Sequence, residues 1–115
     1  MLIRILLMST LAFAAFPQDA MPMPNQDAVQ QLDGKNARAL AAAYGTFREK
    51  LPEADIAAYT VEVHAPADGA IRVVFSPKLA PGEKPTVGGR TSLGREISVW
   101  VSAEDYSVTR SAFSR

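Results

Sequence analysis

Between residues 70 and 76 the chain reads Ala-Ile-Arg-Val-Val-Phe-Ser, a β-branched and aromatic run suited to a pleated, half-buried surface. Asp68-Gly69 before it and Pro77 after it are turn formers and strand terminators, so a central strand is predicted here. Upstream the apolar spacing changes. Val29, Leu32, Ala37, Leu40, Ala41, Tyr44, Phe47 and Leu51 recur at threes and fours with charges between them, which is the spacing of an amphipathic helix. Gly34 interrupts the early part, leaving a helix over about 35–50 with Asp33 as its N-cap. Pro52 disfavours helical geometry at Leu51 and ends it.

Four strands are expected in all, at 59–64, 70–76, 95–102 and 107–114. The short, turn-rich links at 65–69 and 103–106 make the first and last pairs hairpins. The fold class is therefore α+β, with one amphipathic helix packed on a four-stranded antiparallel meander. Alternation sends Tyr59, Val61, Val63, Ile71, Val73, Phe75, Ile97, Val99, Val101 and Val108 towards the helix. The opposite face carries Thr60, Glu62, Arg72, Ser98, Thr109 and Ser111, as a face in water should. Val74, Trp100 and Phe113 fall on that same outer side and break its polarity. Trp100 either packs under a loop or the N-terminal leader, or anchors a partner, since tryptophan is enriched at interface hot spots.

The link between the second and third strands, 77–94, is longer than compact domains usually carry without a purpose. Lys78, Lys84 and Arg90 against Glu83 give it a net charge of +2, with Arg95 just beyond. Gly88-Gly89-Arg90-Thr91-Ser92 has the flexibility and donors to wrap an anion, but lacks the spacing of a P-loop and leads into a strand, not a helix. A loop that contacts a partner, or one that only hangs over the sheet, is the better expectation.

Composition narrows the function. The 115 residues suffice for one domain and one core, expected over 27–115. Twelve basic residues balance 12 acidic ones, so no net field draws the molecule to nucleic acid. The absence of cysteine excludes disulfides, thiolate nucleophiles and cysteine-ligated metals. At the N-terminus, Arg4, an apolar run and Ala12-Phe13-Ala14 read as a signal peptide over 1–14, too short for the roughly 20 residues of a spanning helix. Its removal leaves 11 basic and 12 acidic residues and no stable membrane span, and sends the protein to the periplasm or outside the cell. Residues 15–26 hold Pro17, Pro22 and Pro24, a Pro-rich leader with little to bury. Met21 and Met23 are too few for a soft-metal site.

Catalytic material is thin. His64 is the single histidine, and with Glu62 and Glu96 it would make at most a fragment of a zinc site, without a second histidine or an H-E-x-x-H pattern. No serine sits in a G-x-S-x-G turn. Neither a catalytic set nor a cofactor site is expected.

A helix followed by a curled antiparallel sheet, small and exported, resembles the cystatin-like and NTF2-like folds. Val73-Val74-Phe75-Ser76-Pro77, Gly88-Gly89-Arg90, Ile97-Ser98-Val99-Trp100-Val101 and the closing Val108 resemble in particular the small immunity-type and PepSY-type domains of bacterial envelopes, from Asn36 onward. Those domains often carry glycine in the last hairpin, where this chain has Tyr106. The resemblance to immunity-type domains implies a protein that binds and blocks a toxin or hydrolase in the periplasm. The residues themselves point to a non-catalytic module that binds another envelope protein, through Val74, Trp100 and Phe113 together with Lys78, Lys84, Arg90 and Arg95. Self-association through the same face is a further possibility, and the alternative is a small-ligand or enzymatic domain with a cavity between helix and sheet near Tyr44, Phe47 and Phe75.

Overall fold

The Asp33 carboxylate accepts the Lys35 N–H at 2.9 Å, and one turn on the Ala37 N–H reaches the Asp33 carbonyl at 2.9 Å. A helix, α1, Gly34–Lys50, starts there, one residue earlier than the glycine suggests. Such a cap is worth about 1 kcal/mol. Pro52 closes the other end, where Arg48 and Lys50 face the negative pole of the helix dipole. The computed structural model describes residues 28–115, and Leu32–Arg115 forms one compact unit. The signal peptide and the Pro-rich stretch, 1–14 and 15–26, lie outside the described residues. Among the described residues no helix is long and apolar enough to cross a membrane.

After a single 3-10 turn, Ile56–Ala58, come four strands: β1, Tyr59–Val63; β2, Ala70–Pro77; β3, Ile97–Ser102; and β4, Val108–Phe113. They pair antiparallel in chain order, so the α+β meander is as expected and β1 and β4 are its edges. Asp68 and Gly69 both have positive φ, 53° and 76°, and Ala67 and Ala70 exchange main-chain hydrogen bonds across them. This is the two-residue hairpin turn whose twist suits the flanking strands, and Asp-Gly is a preferred pair for it. Pro77 ends β2 from within, as its last residue, where a missing N–H costs the ladder least.

The core lies between α1 and one face of the sheet. Phe47 and Phe75 are fully buried with ring centroids 4.8 Å apart, and Tyr59 meets Phe47 edge-on at 5.0 Å. Burying one such phenylalanine stabilises the fold by roughly 2–3 kcal/mol. The helix presents a narrower stripe to the sheet than the apolar spacing implies. Its buried residues are Ala39, Ala43 and Phe47, four apart, while Leu40 and Tyr44 flank them half-buried, and Ala37 and Ala41 are exposed. Small residues let the helix backbone come close to the strands. Val29 and Leu32, before the helix, are exposed.

One irregularity decides the faces of β4. Ile97 pairs with Phe113, Val99 with Ser111 and Trp100 with Arg110, but Val101 pairs with Val108, which leaves Thr109 as an extra residue. Paired residues share a face. Phe113 therefore lies on the helix side beside Ile97 and packs against the core, not on the outer face, and Ser111 likewise turns inward. Simple alternation from Val108 fails because the bulge consumes one residue. Val108 does stand opposite Val101, but at the end of an edge strand it stays 38% exposed.

Candidate partner-binding face

The outer face of the sheet resolves into rows running across the strands. In the middle row Glu62, Val74, Ser98 and Ala112 are neighbours. Val74 and Ser98 are each only 4% exposed, although among the described residues the one α-helix lies on the other side of the sheet. Long neighbours shield them: the Arg72 guanidinium leans over and donates to the Ser98 hydroxyl through Nε and Nη2, at 3.4 and 3.3 Å. Val74 is thus part of the fabric of the face and offers little surface of its own.

The next row is Arg72, Trp100 and Arg110, one residue from each of β2, β3 and β4. The guanidinium carbon of Arg110 is 3.7 Å from the centre of the Trp100 ring and that of Arg72 is 5.7 Å from it. Trp100 is partly exposed between them, and the Thr109 hydroxyl donates to its carbonyl at 3.2 Å. His64 adjoins the row, its main-chain N–H donating to the Arg72 carbonyl at 2.9 Å. These residues line a shallow depression of about 740 Å³, bordered by the Asp68 turn. The His64 Nε2 and a Glu62 oxygen are 3.2 Å apart, an exposed contact of the kind worth less than about 1 kcal/mol. Glu96 lies elsewhere on the face, two rows from His64, where its carboxylate accepts the Ser76 hydroxyl. Among the described residues no three potential metal ligands come together.

The loop at 78–96 is tied by its own acid. Glu83 Oε1 accepts the Ala80 N–H and the Ser92 hydroxyl, both at 3.0 Å, and Oε2 accepts the Ser92 N–H at 2.8 Å. Those main-chain donors, helped by the Ser92 hydroxyl, hold the carboxyl below the usual carboxylate range. The segment read as able to wrap an anion thus gives donors to a carboxylate of the chain itself. Thr91 adds a hydrogen bond from its hydroxyl to the Lys78 carbonyl at 2.9 Å and accepts the Leu93 N–H at 3.0 Å. At Gly94 the loop passes so close to the Tyr59 hydroxyl that a side chain there would collide with it. That hydroxyl donates to the Arg95 carbonyl at 2.9 Å, and its burial raises the phenol above its ordinary value despite this bond.

The seven residues singled out in the sequence do not form one surface. Trp100 and Val74 share the outer face; Phe113 is on the helix side, with the Arg95 guanidinium 3.9 Å from its ring centre. Arg90 and Arg95 line a separate depression of about 400 Å³ beside Lys50, Glu53 and Tyr59 at the C-terminal end of α1. Lys78 donates to the Ala57 carbonyl at 3.2 Å and so fastens the loop to the 3-10 turn before β1, while Lys84 is exposed in the loop. The two residues that flank Trp100, Arg72 and Arg110, were missing from that set. Arg72 stands out only once the strands are paired, because its partner is 28 residues away in the chain, as the register Arg72 to Trp100 records. Arg110 has no signal in the sequence, since ordinary alternation turns it inward.

The expected cavity near Tyr44, Phe47 and Phe75 has a different form. Phe47 and Phe75 fill the interior, and an open, almost wholly apolar groove of about 370 Å³ runs beside them between α1 and β1, past Leu32, Leu40, Tyr44, Ile56 and Val61. Comparison of the chain with protein-family models, with curated proteins and with solved structures gives no match.

Proposed function

We propose that this chain is an exported, non-catalytic module that binds another envelope protein through the outer face of its sheet. The observation that carries this reading is Trp100, partly exposed between two guanidiniums on a face otherwise made of small and polar residues. Tryptophan and arginine are among the residues most enriched at interface hot spots, and a sheet face left open by the described residues is a ready surface for them. The loop is a scaffold in this reading, and its bases at Lys78, Lys84, Arg90 and Arg95 do not extend the contact surface around Trp100. Export rests on the pattern at residues 1–14, and an immunity-type role against a toxin or hydrolase follows from the resemblance described above.

Capture from the cell envelope by the tagged chain, with a Trp100→Ala chain as parallel bait, tests the reading. One protein enriched by the natural chain and lost by the folded variant is the expected result. Equal enrichment by both baits would remove the outer face as the binding site. A light-scattering mass of the chain alone, repeated with the variant, separates self-association from a foreign partner.

The apolar groove at Leu40, Tyr44, Ile56 and Val61 favours a second reading, the binding of a small apolar ligand. Thermal stabilisation of the chain by a fatty acid would support it, and loss of that effect in Tyr44→Asp would place the ligand in the groove.

A further inference from the structure

We infer that the Arg72–Trp100–Arg110 row recognises a short acidic segment of a partner protein, with one carboxylate on each guanidinium. The inference rests on the reading of this face as a docking surface and adds the chemistry of what docks. Among the described residues the single ion pair is His64 with Glu62, so no described carboxylate neutralises either arginine. Arg110 has no hydrogen-bond partner among the described residues, and its place is set by stacking on the indole. A guanidinium held flat in this way keeps its fork of N–H donors free at the edge, the geometry that meets a carboxylate with two parallel hydrogen bonds. Arg72 is held differently, by Nε and Nη2 on the Ser98 hydroxyl, and its other terminal nitrogen has no hydrogen-bond partner among the described residues. Both cations lie over the one ring, so a ligand seated on the exposed part of Trp100 has a guanidinium from β2 and another from β4 within reach.

The surroundings set the length and kind of the ligand. Glu62 and Glu96 stand on the same face in neighbouring rows, and Asp68 borders the depression. A nucleic-acid strand tracking along the sheet would bring its phosphates against these acids. A short segment crossing β2, β3 and β4 along the arginine row keeps clear of Glu62 and Glu96, which stand in other rows. In an extended segment, side chains two residues apart share a side and are roughly 7 Å apart, a spacing suited to two convergent guanidiniums. The ligand is therefore an extended acid-x-acid sequence, with the middle residue turned away from the sheet.

Trp100 is the one tryptophan of the chain, so its emission reports directly on this row. The test titrates the full chain, at low ionic strength, with a glycine-flanked Glu-Gly-Glu peptide, its Gln-Gly-Gln counterpart, and inorganic phosphate. The acidic peptide is expected to change Trp100 emission saturably, with an effect that salt weakens, and the glutamine peptide to leave it unchanged. Arg72→Met and Arg110→Met should each weaken the acidic peptide about tenfold or more, as loss of hydrogen bonds to a charged group does. Arg110→Lys, which keeps the charge and removes the fork, should lose a smaller part and checks that the effect is not misfolding. Equal response to both peptides, unchanged affinity in both Met variants, or phosphate binding as tightly as the peptide would overturn the inference. Partner capture separates this failure from failure of the docking face. A partner kept by Arg72→Met and Arg110→Met chains but lost by Trp100→Ala leaves the face standing and removes the acidic ligand; a partner kept by Trp100→Ala removes both.

Discussion

Arg110 stacks on Trp100 at 3.7 Å because Thr109, the residue before it, is an extra one in its strand. If pairing continued regularly from Val101–Val108, Thr109 would stand opposite Trp100, and Arg110 would turn inward opposite Val99. Phe113 would then face solvent. The bulge exchanges the two, sending a cation to the open face and an aromatic ring to the core side. Bulges are known to re-aim side chains at functional edges, and β4 is an edge strand.

The inward position of Phe113 has a measurable cost. Phe113→Ala is expected to lower stability in urea by about 1–2 kcal/mol, less than the loss at a fully buried phenylalanine because the ring is only partly covered. The same substitution should leave binding at Trp100 unchanged. A stable variant with weakened binding would return Phe113 to the outer face.

On the helix, an alanine of the buried stripe should respond differently from an exposed one. Ala43 is fully buried against the sheet, and Ala43→Leu should destabilise by about 1–3 kcal/mol through overpacking. Ala41 is exposed, so Ala41→Leu should change stability by no more than about 0.5 kcal/mol. Urea midpoints of the two variants compare them directly.

Tyr106 occupies the left-handed region, φ 61°, in the turn before β4, a conformation that costs a residue with a side chain roughly 1 kcal/mol. Glycine would relieve that cost. The ring, however, packs against the core and carries the Arg38 guanidinium 4.2 Å from its centre. Partial burial and the cation–π contact together are worth about 2 kcal/mol. Tyr106→Gly should therefore be destabilising by roughly 1 kcal/mol, the difference between these terms, and a more stable glycine variant would mean that the packing is weak.

The loop tie at Glu83 should depend on pH. Its carboxyl is lowered in the folded chain from an ordinary 4.5 by the N–H groups of Ala80 and Ser92. A depressed value means that the contribution is complete above 4.5 and is lost as pH falls through the lower, folded value. The protection of the Ser92 amide, its exchange measured against the intrinsic rate at each pH, should fall in that acid range, with the β2 and β3 amides still protected. Glu83→Gln should show the faster exchange already at neutral pH, and retained protection there would remove Glu83 as the tie.

What the sequence alone determined is the set of features whose causes are local. Asp33 and Pro52 bound the helix through capping and ring geometry, Asp68-Gly69 makes its turn through two positive φ values, and alternation along β2 sorts Ile71, Val73 and Phe75 from Arg72. Each depends on neighbours a few residues away. The tertiary structure alone decided which alanines of 37–43 lie against the sheet, because a run rich in alanine looks apolar on every side of a helix. It alone decided that the donors of Ser92 serve Glu83, since loop hydrogen bonds are chosen by how the chain closes. The Arg72–Trp100–Arg110 row belongs to the same class. Its members come from three strands, and a one-residue bulge, which leaves no mark in the order of residues, selects Arg110 over Thr109 as the partner of Trp100.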